Sequence, residues 1–194
     1  TTILLDRRRY PSEEEARIER CCAQHVICEH ARVVRGVYHR ADWRSYHDHD
    51  DILRSVWLPK ATSVGANAFL HCTVLTHISL PVVESIGARA FHGCESLKSV
   101  SLVALDLGDA AFTACLNLRT VSLPFARAAS RTLFGECTGL TSVSMPVATD
   151  VFEEAFGRCF RLTSVSLPEV RRVGRRAFDY CDELETVFLP SAEF

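Results

Sequence analysis

The sequence predicts an α/β solenoid: stacked short repeats with a parallel sheet on one face, short helical or 3₁₀ turns on the other, and an N-terminal helical cap. Three observations carry that prediction. A phrase of the form Leu-x-x-Val-x-Leu-Pro returns with starts at Leu53, Leu75, Leu97, Leu118, Leu140, Leu162 and Leu184. A second phrase, Ala-Phe-x-x-Cys-x-x-Leu, closes each unit at fixed phase, as in Ala177, Phe178, Cys181 and Leu184. Residues 1–52 contain neither phrase. The chain is thus expected to divide into a cap and link over 1–52, six full repeats and a partial seventh over 53–190, and a remnant at 191–194.

The first segment reads as helix. Ser12 followed by Glu15 has the pattern of a capping box, with Pro11 beside it. Ile18, Cys22, Ala23, Val26, Ile27, Val33 and Val34 fall on one broad helical face. A helix from about Ser12 to Val34 would lay that face over the first repeat, whose apolar side is otherwise exposed. The stretch GVYHRADWRSYHDHDD then reads as an irregular link, with Trp43 and Tyr46 as candidates for packing against the end of the stack.

The repeats start 22, 22, 21, 22, 22 and 22 residues apart, in the range of leucine-rich solenoids. Val165 in, Ser166 out and Leu167 in alternate with the period of a strand buried on one face. Pro168 ends the strand, because proline has no N–H to continue the ladder. Phe178, Cys181 and Leu184 recur every third residue, which places them on one side of a helical or 3₁₀ turn. Such a unit cannot bury its own apolar side, but stacked copies can. Seven strands at roughly 4.8 Å make a parallel sheet about 30 Å long. Gly65, Gly87, Gly108 and Gly174 share one column that Ser130 and Phe152 fill elsewhere, so the column reads as a tight spot without a left-handed requirement.

The combined phrase LxxVxLPxxxxxxxxxAFxxCxxL resembles the BspA-like, or Treponema-type, leucine-rich repeat family over Leu53 to Pro190. Proline and Phe-x-x-Cys co-occur at fixed phase in five of the six full units. The third unit departs, with Val103 in place of proline and one residue lost before Phe112; the fourth has Leu133 in place of alanine. The resemblance implies a non-catalytic binding or adhesion scaffold, of a kind found in surface proteins and in intracellular ones.

Composition narrows the function. A formal net charge of -2, with 24% charged residues, gives no global reason to expect nucleic acid. No apolar run approaches the roughly 20 residues that cross a bilayer, so no membrane insertion is expected. Nine cysteines, six of them at one repeat position (Cys72, Cys94, Cys115, Cys137, Cys159, Cys181), suit a reducing compartment in which Cys is a small buried hydrophobe. Cys21, Cys22 and Cys28 lie in the predicted helix. An intracellular, cytoplasmic location follows as the expectation, with a secreted or surface adhesin as the alternative.

No acid, base or nucleophile converges on one place, and no Ser/His/Asp order, phosphate loop or dinucleotide fingerprint occurs, so neither an enzyme nor a cofactor is expected. His47-Asp48-His49-Asp50-Asp51, with His39 nearby, is the one stretch with metal-ligand chemistry; nothing fixes further ligands, so a solvated loop is expected and no metal. Arg171, Arg172, Arg175 and Arg176 make the densest basic run, a candidate rim patch broken by acids in the neighbouring units. The outward sheet columns are lined by Ser and Thr, with aromatic residues only at the two ends. Trp57, His77, Lys98, Arg119 and Phe188 are therefore the candidate binding residues of the sheet face and stack ends. The expected function is a protein–protein interaction scaffold, a subunit or adaptor of a larger assembly, with a further contact offered by the uncapped C-terminal end.

Overall fold

The computed structural model describes residues 2–4, 15–18, 25–27, 33–36 and 53–190. Each repeat makes one coil of a β-solenoid with three sides. The front side is a three-residue strand, such as Ser142–Ser144 or Ser164–Ser166, with only its central valine buried. Proline and one further residue turn the corner. A two-residue strand follows, for example Asp150–Val151 or Arg172–Val173. The Ala-Phe-x-x-Cys segment forms the third side and returns the chain to the next front strand.

All pairing between rungs is parallel and in register with the sequence repeat, as in Val121↔Val143 and Val143↔Val165. Identical positions therefore lie above one another and form files. Val, Leu, Ala, Phe and Cys files fill the interior, and no polar or charged residue is buried among the described residues. The phenylalanines stack almost parallel, with ring centroids 5.2 Å apart for Phe91–Phe112 and 5.8 Å for Phe112–Phe134. The sequence expectation of matched interior files holds from Leu53 to Ala177.

The third side departs from the expected helical turn; no helix occurs among the described residues. Its N–H groups alternate between two kinds of partner. Those of Ala90, His92 and Cys94 close turns onto the carbonyls three residues back, at 3.2–3.3 Å. Those of Arg89, Phe91 and Gly93 instead reach the next rung, at Asp109, Ala111 and Thr113, at 2.8–2.9 Å. A helix keeps its backbone bonds to itself. This ribbon of turns gives half of them to its neighbour, so rungs are joined on all three sides.

That alternation requires positive φ at two positions per rung, two residues before and two after the phenylalanine. Twelve of the described residues adopt it, and only Gly93 among them is glycine. Thr132, β-branched, stands at φ 48°. A left-handed conformation costs a non-glycine residue roughly 1–2 kcal/mol, partly offset by glycine's greater freedom in the unfolded chain. Thr132→Gly is accordingly expected to stabilise the protein by up to about 1 kcal/mol, raising Tm by roughly 2–4 °C in a chain of this size. Thermal melts of the two proteins check this, and an unchanged or lowered Tm would contradict the left-handed assignment.

The glycine column is the tight spot its sequence indicated. Gly87 and Gly108 do not have positive φ, but a Cβ there would come within 2.4 and 2.3 Å of the backbone nitrogens of Ala66 and Ala88. Ser130 occupies the same column with its hydroxyl donating to the Leu107 carbonyl, and Phe152 turns its ring to solvent.

The helical cap over residues 12–34 is corrected. The described parts of that span are strands, Glu15–Ile18, His25–Ile27 and Val33–Gly36. Val26 pairs with Val56 and Val34 with Val64, so these segments continue the parallel pairing of the solenoid in the N-terminal direction. Val26, Ile27, Val33 and Val34 are β-branched and suit a pleated surface. A short apolar run has no period that separates helix from strand, and the helical reading rested on that ambiguity. Trp43, Tyr46 and the remnant 191–194 lie outside the described residues.

The irregular third unit leaves a mark. Front strands form one block ending at His77–Ser79 and a second starting at Ser99–Ser101. The two-residue strands divide one step later, between Asp106–Leu107 and Ala128–Ala129. The phenylalanine stack passes through both divisions without a gap.

Candidate interaction surface

The front face is built by the outward residues of the three-residue strands. Ser99, Ser101, Thr120, Ser122, Ser144 and Ser164 are exposed, and parallel pairing sets Thr120 beside Ser142 and Ser122 beside Ser144. Just before the strand, threonine hydroxyls lock the rungs: Thr76 donates to the Arg54 carbonyl at 3.0 Å, Thr141 to Arg119 at 2.9 Å and Thr163 to Thr141 at 3.1 Å. Hydroxyls on this side hold the stack as well as lining it.

Trp57 is exposed and stands opposite Ser79, while His77 stands opposite Ser55 with its Nδ1 2.8 Å from the Thr76 hydroxyl. Lys98 and Arg119 are exposed on successive rungs at the strand start, and one Arg119 nitrogen donates to the Gly139 carbonyl at 3.1 Å. Phe188 has its backbone opposite Ser166, and its side chain lies outside the described residues. Four of the five candidates thus share the front face. From Arg54 to Ser166 the outward strand positions and the residues just before them include Arg54, Lys98 and Arg119 and no carboxylate.

The arginine run sits around the other corner. Arg172 pairs with Asp150 one rung below, and Arg176 with Glu154 at 3.9 Å. The Arg172 guanidinium holds the Asp150 carboxyl below its ordinary range. Arg131–Glu153 at 3.4 Å and Arg158–Glu136 at 3.3 Å repeat the arrangement. Arg171 and Arg175 remain exposed beside these pairs, so the run is a mixed-charge edge. The His39, His47 and His49 stretch lies outside the described residues, and no metal-ligating group of three occurs among the described ones.

The cysteine file is interior, and it carries a contact that sequence reasoning missed. Cys94 Sγ donates to the Phe69 carbonyl of the rung before at 3.2 Å, Cys115 to Phe91 at 3.3 Å and Cys137 to Phe112 at 3.1 Å. A phenylalanine carbonyl has two lone pairs, and the backbone N–H three residues on uses one. The thiol takes the other, which alanine or valine could not do. Burial pushes the thiols of Cys94, Cys115, Cys137 and Cys159 up, away from the reactive thiolate. Cys181, half-buried, is pushed up to about 11. Thiol reagents at neutral pH are therefore expected to spare the fully buried file in the native protein and to modify Cys181 slowly. Mass spectrometry before and after denaturation reads this directly.

A second missed feature is apolar. The residue after the turn proline is Val82, Phe125 and Val147 in three units, 45, 51 and 44% exposed. Val103, in the unit that lost its proline, is 38% exposed at the same corner. Lys60 and Glu169 hold this position in the flanking units. The pattern was present in the sequence as Pro-Val, Pro-Phe and Pro-Val, but it is a surface file only once the rungs are stacked.

A profile described as the BspA type leucine rich repeat region matches residues 62–185 in six copies. Among solved structures, a leucine rich cell surface protein from Faecalibacterium prausnitzii is 28% identical with a TM-score of 0.63. That match covers 80% of this chain and 46% of the other, so the chain spans about half that protein's length. The T. pallidum leucine rich repeat protein is 22% identical with a TM-score of 0.69, covering 88% of this chain and 82% of its own. A leucine-rich repeat protein from Eubacterium ventriosum is 17% identical, with a TM-score of 0.64 and coverage of 84% and 56%. These last two likenesses concern the fold alone. No curated protein sequence matches the chain.

Proposed function

Since the chain belongs to the BspA-type leucine-rich repeat family, we propose that it is a non-catalytic protein–protein interaction scaffold, a subunit or adaptor of a larger assembly. The observation that carries this reading is the front face. It is an exposed surface of small hydroxyl side chains on a frame joined rung to rung on three sides, with Trp57, Lys98 and Arg119 projecting from it. A rigid, preformed surface loses little conformational freedom on binding, which favours recognition over chemistry. We assign recognition to the 53–190 solenoid, with Trp57, His77, Lys98, Arg119 and Phe188 as its contributors and Arg171 and Arg175 as rim contacts.

The test is a pull-down from native extract with the wild-type chain and with Trp57→Ala/Lys98→Glu/Arg119→Glu, followed by crosslinking of whatever is retained. Retention by the wild type only, with crosslinks on the front strands, supports the assignment. Equal retention by both, or crosslinks confined to the turn ribbon, would falsify it.

A cell-surface adhesin is the second reading, favoured by the likeness to the Faecalibacterium chain, itself a leucine rich cell surface protein. No helix of the described residues is long and apolar enough to cross a membrane. The thiol file supports the intracellular reading, because its S–H donors are available only to reduced cysteine. Counting thiols after denaturation separates the two. Nine free thiols fit the intracellular location, and paired cysteines fit the surface one.

A further inference from the structure

Resting on the reading of the front face as an interaction surface, we propose that its partner presents an acidic amphipathic helix lying along the stack. Its apolar stripe sits on the ridge of Val82, Val103, Phe125 and Val147, and its carboxylates reach toward Lys98 and Arg119. Single exposed apolar residues are ordinary, but four on consecutive rungs make a continuous stripe. Lys60 and Glu169 close it at both ends, so the stripe is about 14 Å long at the spacing of parallel strands.

Spacing selects the shape of the occupant. A helix offers one apolar side chain per turn, about every 5.4 Å. Against rungs about 4.8 Å apart it slips by roughly 0.6 Å per rung, or about 2 Å over the ridge, which side-chain flexibility absorbs. An extended strand repeats its facing side chains about every 6.6 Å, slips roughly 1.8 Å per rung and is about 3.6 Å out of step after two rungs. The width agrees as well. From the residue before the front strand to the proline turn the backbone runs about 15 Å, enough for a helix 10–12 Å across.

Charge selects its composition. The margin opposite the ridge carries Arg54, Lys98 and Arg119 with no carboxylate on the front columns between them and Ser166. The serine floor lets a helix approach closely. An amphipathic helix with glutamates on the front-facing flank of its apolar stripe meets the ridge and the cations at once, whereas a second copy of this chain would bring the same cations against themselves.

Fluorescence anisotropy with three labelled peptides of about 18 residues tests this: a Leu/Glu amphipathic helix, its Leu/Lys counterpart and a scrambled Leu/Glu sequence. The acidic helix is expected to bind at least roughly tenfold tighter than the other two. Phe125→Ser with Val147→Ser should weaken it by about tenfold, and Lys98→Glu with Arg119→Glu should turn the preference to the Leu/Lys peptide. These residues are exposed, so circular dichroism should show every variant folded as the wild type. Equal binding of the scrambled peptide, no peptide binding, or indifference to the ridge substitutions overturns the inference. If a native partner still crosslinks to the front strands in that case, the scaffold reading stands and only the acidic helix is lost.

Discussion

Raising the pH from 8.5 to 9.5 is expected to remove about 4 kcal/mol of this protein's stability, and the cysteine file is the reason. In the unfolded chain a thiol ionises near 8.5. In the fold, burial holds the thiols of Cys94, Cys137 and Cys159 well above that value and raises Cys115 as well. Above pH 8.5 the native state therefore binds more protons than the unfolded state, and stability falls as pH rises. The slope rises toward about 1.4 kcal/mol per pH unit for each such thiol as its unfolded form goes from half to nine-tenths ionised, so each withdraws about 1 kcal/mol and four about 4 kcal/mol within this unit. A domain's whole stability is of order 5–15 kcal/mol. Urea midpoints at pH 7, 8.5 and 9.5, under constant reductant, measure this.

The contribution of the file is separable. Cys137→Ala loses the donor to the Phe112 carbonyl and is less stable at pH 7. It should nevertheless have a shallower decline above pH 8.5, by one proton's worth of slope. A variant with the wild-type slope would place the alkaline loss elsewhere. On the acid side the sign reverses. Burial lowers the His92 pKa, and its Nδ1 is buried without a hydrogen-bond partner. The unfolded state then takes up the proton first, and stability present at neutral pH declines as pH falls through the ordinary range near 6.5.

The stack was legible because every rung repeats the same burial problem. Val165, Leu167, Phe178 and Cys181 each recur at one phase, and a recurrence that strict has one physical use, matched files. The turn ribbon was not legible in the same way. Positive φ usually announces itself as glycine, yet here Arg89, Ala110, Thr132 and Glu154 adopt it. Their strain is offset by N–H bonds to the next rung, such as Thr132 to the Glu153 carbonyl at 3.0 Å. A single unit of sequence holds no trace of a bond to its neighbour. The same limit applies to the surface: Lys98 and Arg119 are legible as charges flanking the outward columns, while the ridge containing Phe125 is visible only as a file across rungs. Val26 and Val34 failed for the opposite reason, since their local pattern suited helix and strand equally.

The phenylalanine file sets how far a local defect travels. Phe112→Ala is expected to cost about 3–5 kcal/mol, since the ring is fully buried and lies between two others. In a chain of this size that lowers Tm by roughly 6–20 °C. Position along the stack should matter as much as chemistry. Phe178 is only partly buried and stacks on Phe156 alone among the described residues, at 5.2 Å, so Phe178→Ala should cost less. Phe125→Ala, on the exposed corner, should change stability by no more than about 0.5 kcal/mol. Phe112→Leu keeps apolar bulk but loses two ring stacks and should fall between, since such stacks contribute about 0.5–1.5 kcal/mol beyond burial. A rod coupled only through nearest neighbours has a further consequence. With its central link weakened beside the already divided third unit, the two halves should melt apart, giving Phe112→Ala a broader transition with a smaller denaturant slope. Denaturation followed by circular dichroism checks both the midpoint and the slope. Equal losses at Phe112 and Phe178, with sharp transitions in both, would mean that the rungs fold as one indivisible core and that the stack is not the unit of stability.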